Sequence, residues 1–173
     1  IKEAIELFAE YGFQEVSVSN IAKKVSIGKG TIYTYFKTKD EILEACVAYI
    51  FDSFVVDMEN AAKNSISMDI FLDKLVYLFF MDMSTRSRIF FLFQRRYYNR
   101  KSKYKKFTKG YRNSIKKIYN NFSEDIKCTL EDMELFITSF MMTSYMMKDN
   151  IDENRLKVTI KRALKELILK KKL

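Results

Sequence analysis

No proline interrupts this chain of 173 residues, and glycine occurs only at Gly12, Gly28, Gly30 and Gly110. These are the two residue types that most often stop a helix, proline by removing a backbone donor and glycine by its entropy. A chain almost free of both is expected to be all-α. Apolar residues make up 48% and charged residues 31%, a balance that supports packed cores rather than disorder.

Helical spacing divides the chain into about nine helices. Ile1, Ala4, Ile5 and Phe8 recur on one face, and Gly12 is placed to end the first helix. Ser17 can cap a second helix with Ile21, Ala22 and Val25 inward; Ser26 to Gly28 make a tight turn, and Lys29 to Phe36 form a third helix. Thr38 and Glu41 have capping-box spacing, opening a long fourth helix to about Lys63. Further helices are expected from Met68 to Met83, from Ser84 or Thr85 to about Tyr98, from Lys103 to about Lys127, from Leu130 to Lys148 and from Asp152 to Lys171. The natural division is a reader at 1–45, with its helix-turn-helix at 17–36, and a second domain at 46–173.

Several function classes fall away. With no histidine in the chain, His-based triads and paired-His zinc motifs are excluded, and the carboxylates show no pairing suited to acid–base catalysis. No enzyme, metal or cofactor is expected. Cys46 and Cys128 fit no metal or redox spacing and read as buried, reduced thiols. The longest nearly apolar stretch, 136–147, is too short to cross a bilayer, and no secretory leader opens the sequence. A cytoplasmic protein without a membrane span is the expectation.

The segment from Ser17 through Ile21-Ala22, Lys29-Gly-Thr-Ile-Tyr33 and Tyr35-Phe36, followed by Lys39 and Leu43, resembles the DNA-binding domain of TetR-family repressors. The likeness covers about 45 residues and includes Gly12. Physical chemistry assigns the roles independently. Gly30 lets the start of the third helix approach base edges, and Thr31 offers them a hydroxyl or a methyl. Tyr33 and Tyr35 project away from Ile32 and Phe36 and can bond phosphates, as can Lys29 and Lys39. Ser17 is a helix cap first, and a phosphate contact would be additional. The resemblance implies matching DNA-binding roles for Ser19, Lys29, Gly30, Thr31, Tyr33, Tyr35 and Lys39. Gly28 departs from the family pattern, which commonly places a polar cap there. The string from Gly28 to Thr31 lacks the spacing and the preceding strand of a phosphate-binding loop.

The resemblance also implies a ligand-responsive homodimer on a near-palindromic operator, released by a small apolar or amphipathic effector. Phe, Tyr and Met number fifteen, eleven and nine and cluster after residue 48, a composition that suits either an adaptable cavity or a plain helical core. The candidate cavity residues among the fourth to eighth helices are Phe54, Met58, Leu78, Phe90, Phe93, Tyr111, Ile115 and Met142. The candidate dimer residues on the last two helices are Phe136, Ile137, Phe140, Met141, Ser144, Leu156, Ile160 and Leu164. Residues 84–123 carry thirteen Lys and Arg and no acid. That block reads as solvated helix faces, as a site for an anionic effector such as a fatty-acyl conjugate or nucleotide, or as an auxiliary nucleic-acid contact. A helical protein-interaction module is the rival to a DNA reader; salt-sensitive, sequence-specific duplex binding separates them.

Overall fold

The structure, a computed structural model, describes residues 1–80, 83–97, 101–147 and 150–170, excluding the side chains at 83, 84, 86, 87, 90, 94, 97, 101–108 and 141–146. Among the described residues the elements are nine helices: α1 (Lys2–Glu15), α2 (Val18–Lys24), α3 (Lys29–Tyr35), α4 (Lys39–Lys63), α5 (Met68–Phe80), α6 (Met83–Tyr97), α7 (Lys101–Asn121), α8 (Leu130–Met147) and α9 (Glu153–Ile168). The all-α expectation holds, and no described helix is long and apolar enough to cross a membrane.

Residues group into two compact units, Ile1–Asp52 with Ser84–Thr108, and Ser53–Met83 with Lys109–Leu173. The first unit has its own core, in which Ala4, Ile5 and Phe8 of α1 meet Ile21 and Ala22 of α2, Ile32 of α3 and Leu43, Cys46 and Val47 of α4. Ile89 and Phe93 of α6 complete it, both fully buried. Gly12 breaks the regular path of α1 at φ 81°, a left-handed value costly to any residue with a Cβ. The chain can therefore turn Phe13 back into the core.

Capping explains the helix starts. Ser17 accepts a hydrogen bond from the Asn20 N–H at 3.1 Å, while the Asn20 side chain accepts from the Ser17 N–H at 2.8 Å. This is a reciprocal box made with asparagine rather than the usual glutamate. At α4, Thr38 accepts from the Glu41 N–H at 3.1 Å, but the Glu41 carboxylate accepts from the Lys37 N–H at 2.7 Å and not from that of Thr38. The expected box closes one residue further back.

The second unit is built on α5, which is packed against α8 and α9. Its core joins Phe54, Met58, Phe71, Leu75, Phe79, Tyr111, Ile115, Met133, Ile137, Leu156, Ile160 and Leu164. Across α5 and α9, Lys161 pairs with Asp73 at 2.8 Å and Lys165 with both Asp69 and Asp73 at 2.8 Å. Burial pushes the Asp73 carboxyl up, but the hydrogen bonds and charges of Lys161 and Lys165 outweigh it and hold it below the usual carboxylate range. For Lys165 burial acts downward, and the two aspartates more than reverse it, leaving it raised.

Two helix ends fall short of expectation. α7 stops at Asn121 and α9 at Ile168, because the chain beyond each forms a short antiparallel bridge, Ile126 with Leu169. Lys127 N–H donates to the Ile168 carbonyl and Lys170 N–H to that of Asp125, both at 2.9 Å. Asp125 also caps α5 by accepting the Met68 N–H at 2.9 Å. Burial pushes the Cys46 thiol up to about 12, so it is a neutral core group; the half-buried Cys128 is raised by the same cause.

Candidate nucleic-acid interface

α2 and α3 meet through the tight turn at Ser26, which takes a left-handed φ of 55°. In α3 the one buried side chain is Ile32. That single anchor leaves Lys29, Gly30, Thr31, Tyr33, Thr34 and Tyr35 exposed, as a helix meant to enter a groove requires. Gly28 is the N-cap and supplies no side-chain bond. The turn instead closes through backbone, with Thr31 N–H donating to the Gly28 carbonyl at 3.0 Å.

The leading end of α3 is open. A Cβ added at Gly30 would meet nothing within 4 Å, so no packing inside the chain asks for glycine there. Thr31 is exposed one residue later. The Lys29 ammonium stands 5.6 Å from the centre of the Tyr33 ring, a cation–π distance that pre-positions a charge beside a phenol. Tyr35 is 76% exposed, too much for a packing residue of its size. Ser19 is exposed beside the α2 cap, and Ser17 holds its hydroxyl on Asn20.

Lys39 is placed differently from the exposed Lys29 of α3. Its ammonium donates to the carbonyls of Phe13 at 2.7 Å, Val16 at 2.9 Å and Gln14 at 3.4 Å, and it stands 4.4 Å from the centre of the Phe13 ring. From α6, the Arg96 guanidinium lies 4.3 Å from that ring centre and forks onto the Asp40 carboxylate. Arg88 donates to the Ala9 carbonyl at 3.1 Å. In the second unit Arg112 pairs with Glu134 and Lys117 with Glu59. Among the described residues, part of the basic block thus pairs with intramolecular partners while staying on solvated faces, the Arg112 and Lys117 side chains remaining 62% and 69% exposed.

Of the candidate cavity residues, Phe54, Met58, Tyr111 and Ile115 share the buried cluster of the second unit, with Leu78 packed against it. Phe54 stacks on Phe79 at 6.2 Å and tilts against Tyr111 at 6.4 Å. The Tyr111 hydroxyl pairs with that of Thr138 at 3.2 Å, and burial raises it well above the usual phenol range. Phe93 is not part of that cluster. It fills the core of the first unit, because the inward row of α6 is Ile89 and Phe93, one turn apart. The side chains of Phe90, Met141, Met142 and Ser144 lie outside the described residues. The dimer candidates divide as well: Ile137, Leu156, Ile160 and Leu164 are spent in the protomer's own core, whereas Phe136 and Phe140 are only partly buried. Among the described residues of α8 and α9, the apolar Leu135, Val158 and Leu167 are exposed; helical spacing places Leu167 inward with Leu156, Ile160, Ala163 and Leu164, but it lies at the edge of that face and is 39% exposed.

Residues 1–46 match the family model described as bacterial regulatory proteins, tetR family. The fatty acid metabolism regulator protein of Bacillus subtilis is 40% identical over 63 residues, 36% of this chain and only about a third, 32%, of that relative. The biofilm operon negative transcriptional regulator IcaR of Staphylococcus aureus is 28% identical over 156 residues, spanning 84% of this chain and 80% of the relative. Among solved structures, FadR of Bacillus subtilis in complex with stearoyl-CoA superposes with a TM-score of 0.75 at 23% identity, covering 94% of both chains. LfrR of Mycobacterium smegmatis in complex with proflavine gives 0.68 at 17% identity, over 98% of this chain and 94% of the other.

Proposed function

We propose, from the match of residues 1–46 to the TetR family of bacterial regulatory proteins, that this chain is a homodimeric transcriptional repressor of that family whose α3 reads the major groove of a near-palindromic operator. The observation that carries this reading is α3 itself: seven residues held by Ile32 alone, with Gly30 and Thr31 unobstructed at the leading end and Lys29, Tyr33 and Tyr35 exposed along the flank. Gly30 and Thr31 meet base edges, while Ser19, Lys29, Tyr33 and Tyr35 take phosphates. Residues 1–45 are the reader. The remainder senses and dimerises, although α6 lends Ile89 and Phe93 to the reader's core.

One seven-residue helix contacts too few base pairs to select a site, so two copies must act one DNA turn apart, about 34–36 Å. The exposed Leu135 of α8 and Val158 of α9, with the half-buried Phe136 and Phe140, are apolar residues left available for pairing.

The effector is a small apolar or amphipathic molecule seated near Phe54, Met58, Tyr111 and Ile115. Stearoyl-CoA is the first compound to try, since FadR is the relative in complex with it. Its anionic half is one use for the basic block. α4 supplies Leu43, Cys46 and Val47 to one core and Phe54 and Met58 to the other, so a ligand that prefers one disposition of α4 shifts the DNA-competent population. Selection of a duplex from a random pool, followed by salt titration, tests the DNA reading. Binding without sequence preference would leave only a basic helical protein.

A further inference from the structure

We propose that Thr34 is a specificity-determining residue of α3, and that it recognises the 5-methyl group of a thymine through its own methyl rather than through its hydroxyl. The inference rests on the DNA-binding reading above and deepens it by naming a base contact. Ile32 is the buried side chain of α3, and it fixes which line along the helix faces outward. Residues two positions away lie about 200° around a helix of 3.6 residues per turn, so Gly30 and Thr34 stand nearly opposite Ile32. Thr31 and Tyr33, one position away, lie about 100° round on the two flanks, while Lys29 and Tyr35, three positions away, return to within about 60° of the inward side. The long side chains therefore stand to either side of a low centre line made by Gly30 and Thr34.

Thr34 is exposed, yet its hydroxyl turns back along the helix and donates to the Gly30 carbonyl at 3.1 Å, a back-bond open to threonine in a helix. The hydroxyl proton is spent there, and the tetrahedral Cβ carries the methyl on a different arm. A Cβ at Gly30 would meet nothing within 4 Å, so the Thr34 side chain leaves the space above that residue open. The centre line is thus a notch at Gly30 bordered one turn later by an apolar group. In the major groove thymine is the base that projects a methyl, and a threonine methyl is one of the groups that meet it.

The probe is a duplex selected from a random pool by the wild-type protein, in which deoxyuridine replaces each thymine in turn and so removes only the 5-methyl group. Three proteins are compared on it: wild type, Thr34→Val, which keeps the methyl and lacks the hydroxyl, and Thr34→Ser, which keeps the hydroxyl and lacks the methyl. The expected result is a thymine at which deoxyuridine weakens wild type and Thr34→Val alike, by about fourfold, the effect of one buried methyl, and leaves Thr34→Ser unchanged. On the unmodified duplex Thr34→Ser is already weaker by that factor. The proposal is overturned if Thr34→Ser suffers the same deoxyuridine loss as wild type, which assigns the thymine to another group such as Thr31. It is overturned as well if Thr34→Val binds as weakly as Thr34→Ser, which makes the hydroxyl the reader, or if no thymine methyl affects wild type. Each of these results leaves the DNA reading standing, whereas failure of wild type to select any sequence overturns both.

Discussion

Ser26 and Gly28, two residues apart in the turn between α2 and α3, each occupy a place that suits the other. Ser26 is held at φ 55°, where glycine is free of strain, and Gly28 is the N-cap of α3, where a serine oxygen would accept a first-turn N–H. A Cβ at Gly28 would lie 3.7 Å from Thr31 Oγ1, an ordinary contact. Exchanging them, Ser26→Gly with Gly28→Ser, is expected to stabilise the protein by about 1 kcal/mol, most of it from relief at position 26. Thermal unfolding followed by circular dichroism reads the gain; a lower midpoint would mean that the turn is held by something other than its dihedral angles.

Gly30→Ala should separate stability from function. Open space around position 30 lets the fold accept a methyl group, and alanine is favoured over glycine within a helix by about 1 kcal/mol. The variant is expected to be at least as stable as wild type yet to bind a selected duplex more weakly, by roughly 1–3 kcal/mol if the methyl meets a base edge. Undiminished binding would remove Gly30 from the reading surface.

Three further substitutions distinguish the kinds of contact. Thr31→Ala should alter base preference, Tyr33→Phe should weaken binding to all duplexes alike, and Lys29→Ala should also reduce the salt slope by about one. Competition between selected and scrambled duplexes at several salt concentrations resolves all three. A change of base preference in Tyr33→Phe would place its hydroxyl on a base instead.

The pairs between α5 and α9 define a pH window. Because the Asp73 carboxyl is lowered in the folded protein, its stabilisation is present above the usual carboxylate range and is lost as pH falls through the folded value. Lys165 is raised, so its contribution is present below the usual lysine range and is lost as pH rises through the folded value. Asp73→Asn should flatten the acid limb and cost about 1 kcal/mol near neutrality, discounted for the partial exposure of these side chains. Denaturant midpoints measured from acid to alkaline pH test this, and an acid limb identical to wild type would contradict it.

Substitutions in α9 should fall into two kinds. Ile160→Ala, at a fully buried site, is expected to destabilise the protomer by about 2–5 kcal/mol, whereas Val158→Asp, at an exposed one, should leave the fold intact and weaken self-association. Light scattering alongside thermal melting distinguishes them. A stable dimer carrying Val158→Asp would move the pairing face elsewhere.

The first three helices were legible in the sequence because their determinants are local. Ser17, Gly12, Ile32 and Thr38 act within a turn or two of their own positions, and spacing reveals such effects. Phe93 and Lys39 were not legible for one shared reason. A periodic apolar row shows that α6 has an inner face, and a lysine at the start of α4 shows that a charge is available; neither shows what lies opposite. The end of α9 was missed likewise, since Leu169 leaves the helix for a backbone partner on the far side of α8 in sequence. Ile160 and Val158 mark another limit, because burial in a core and burial between copies ask for the same chemistry.

The contribution of α6 to the first core also bears on how the protein is made. As the chain leaves a ribosome, α1 to α4 emerge with the apolar seats of Ile89 and Phe93 still vacant, and all of α5 must be synthesised before those two residues arrive. The first unit therefore cannot complete its core as a nascent N-terminal module. The same interleaving implies that a fragment ending at residue 45 would expose the apolar surface that Ile89 and Phe93 cover, and that DNA affinity measured on it would describe an incompletely packed core.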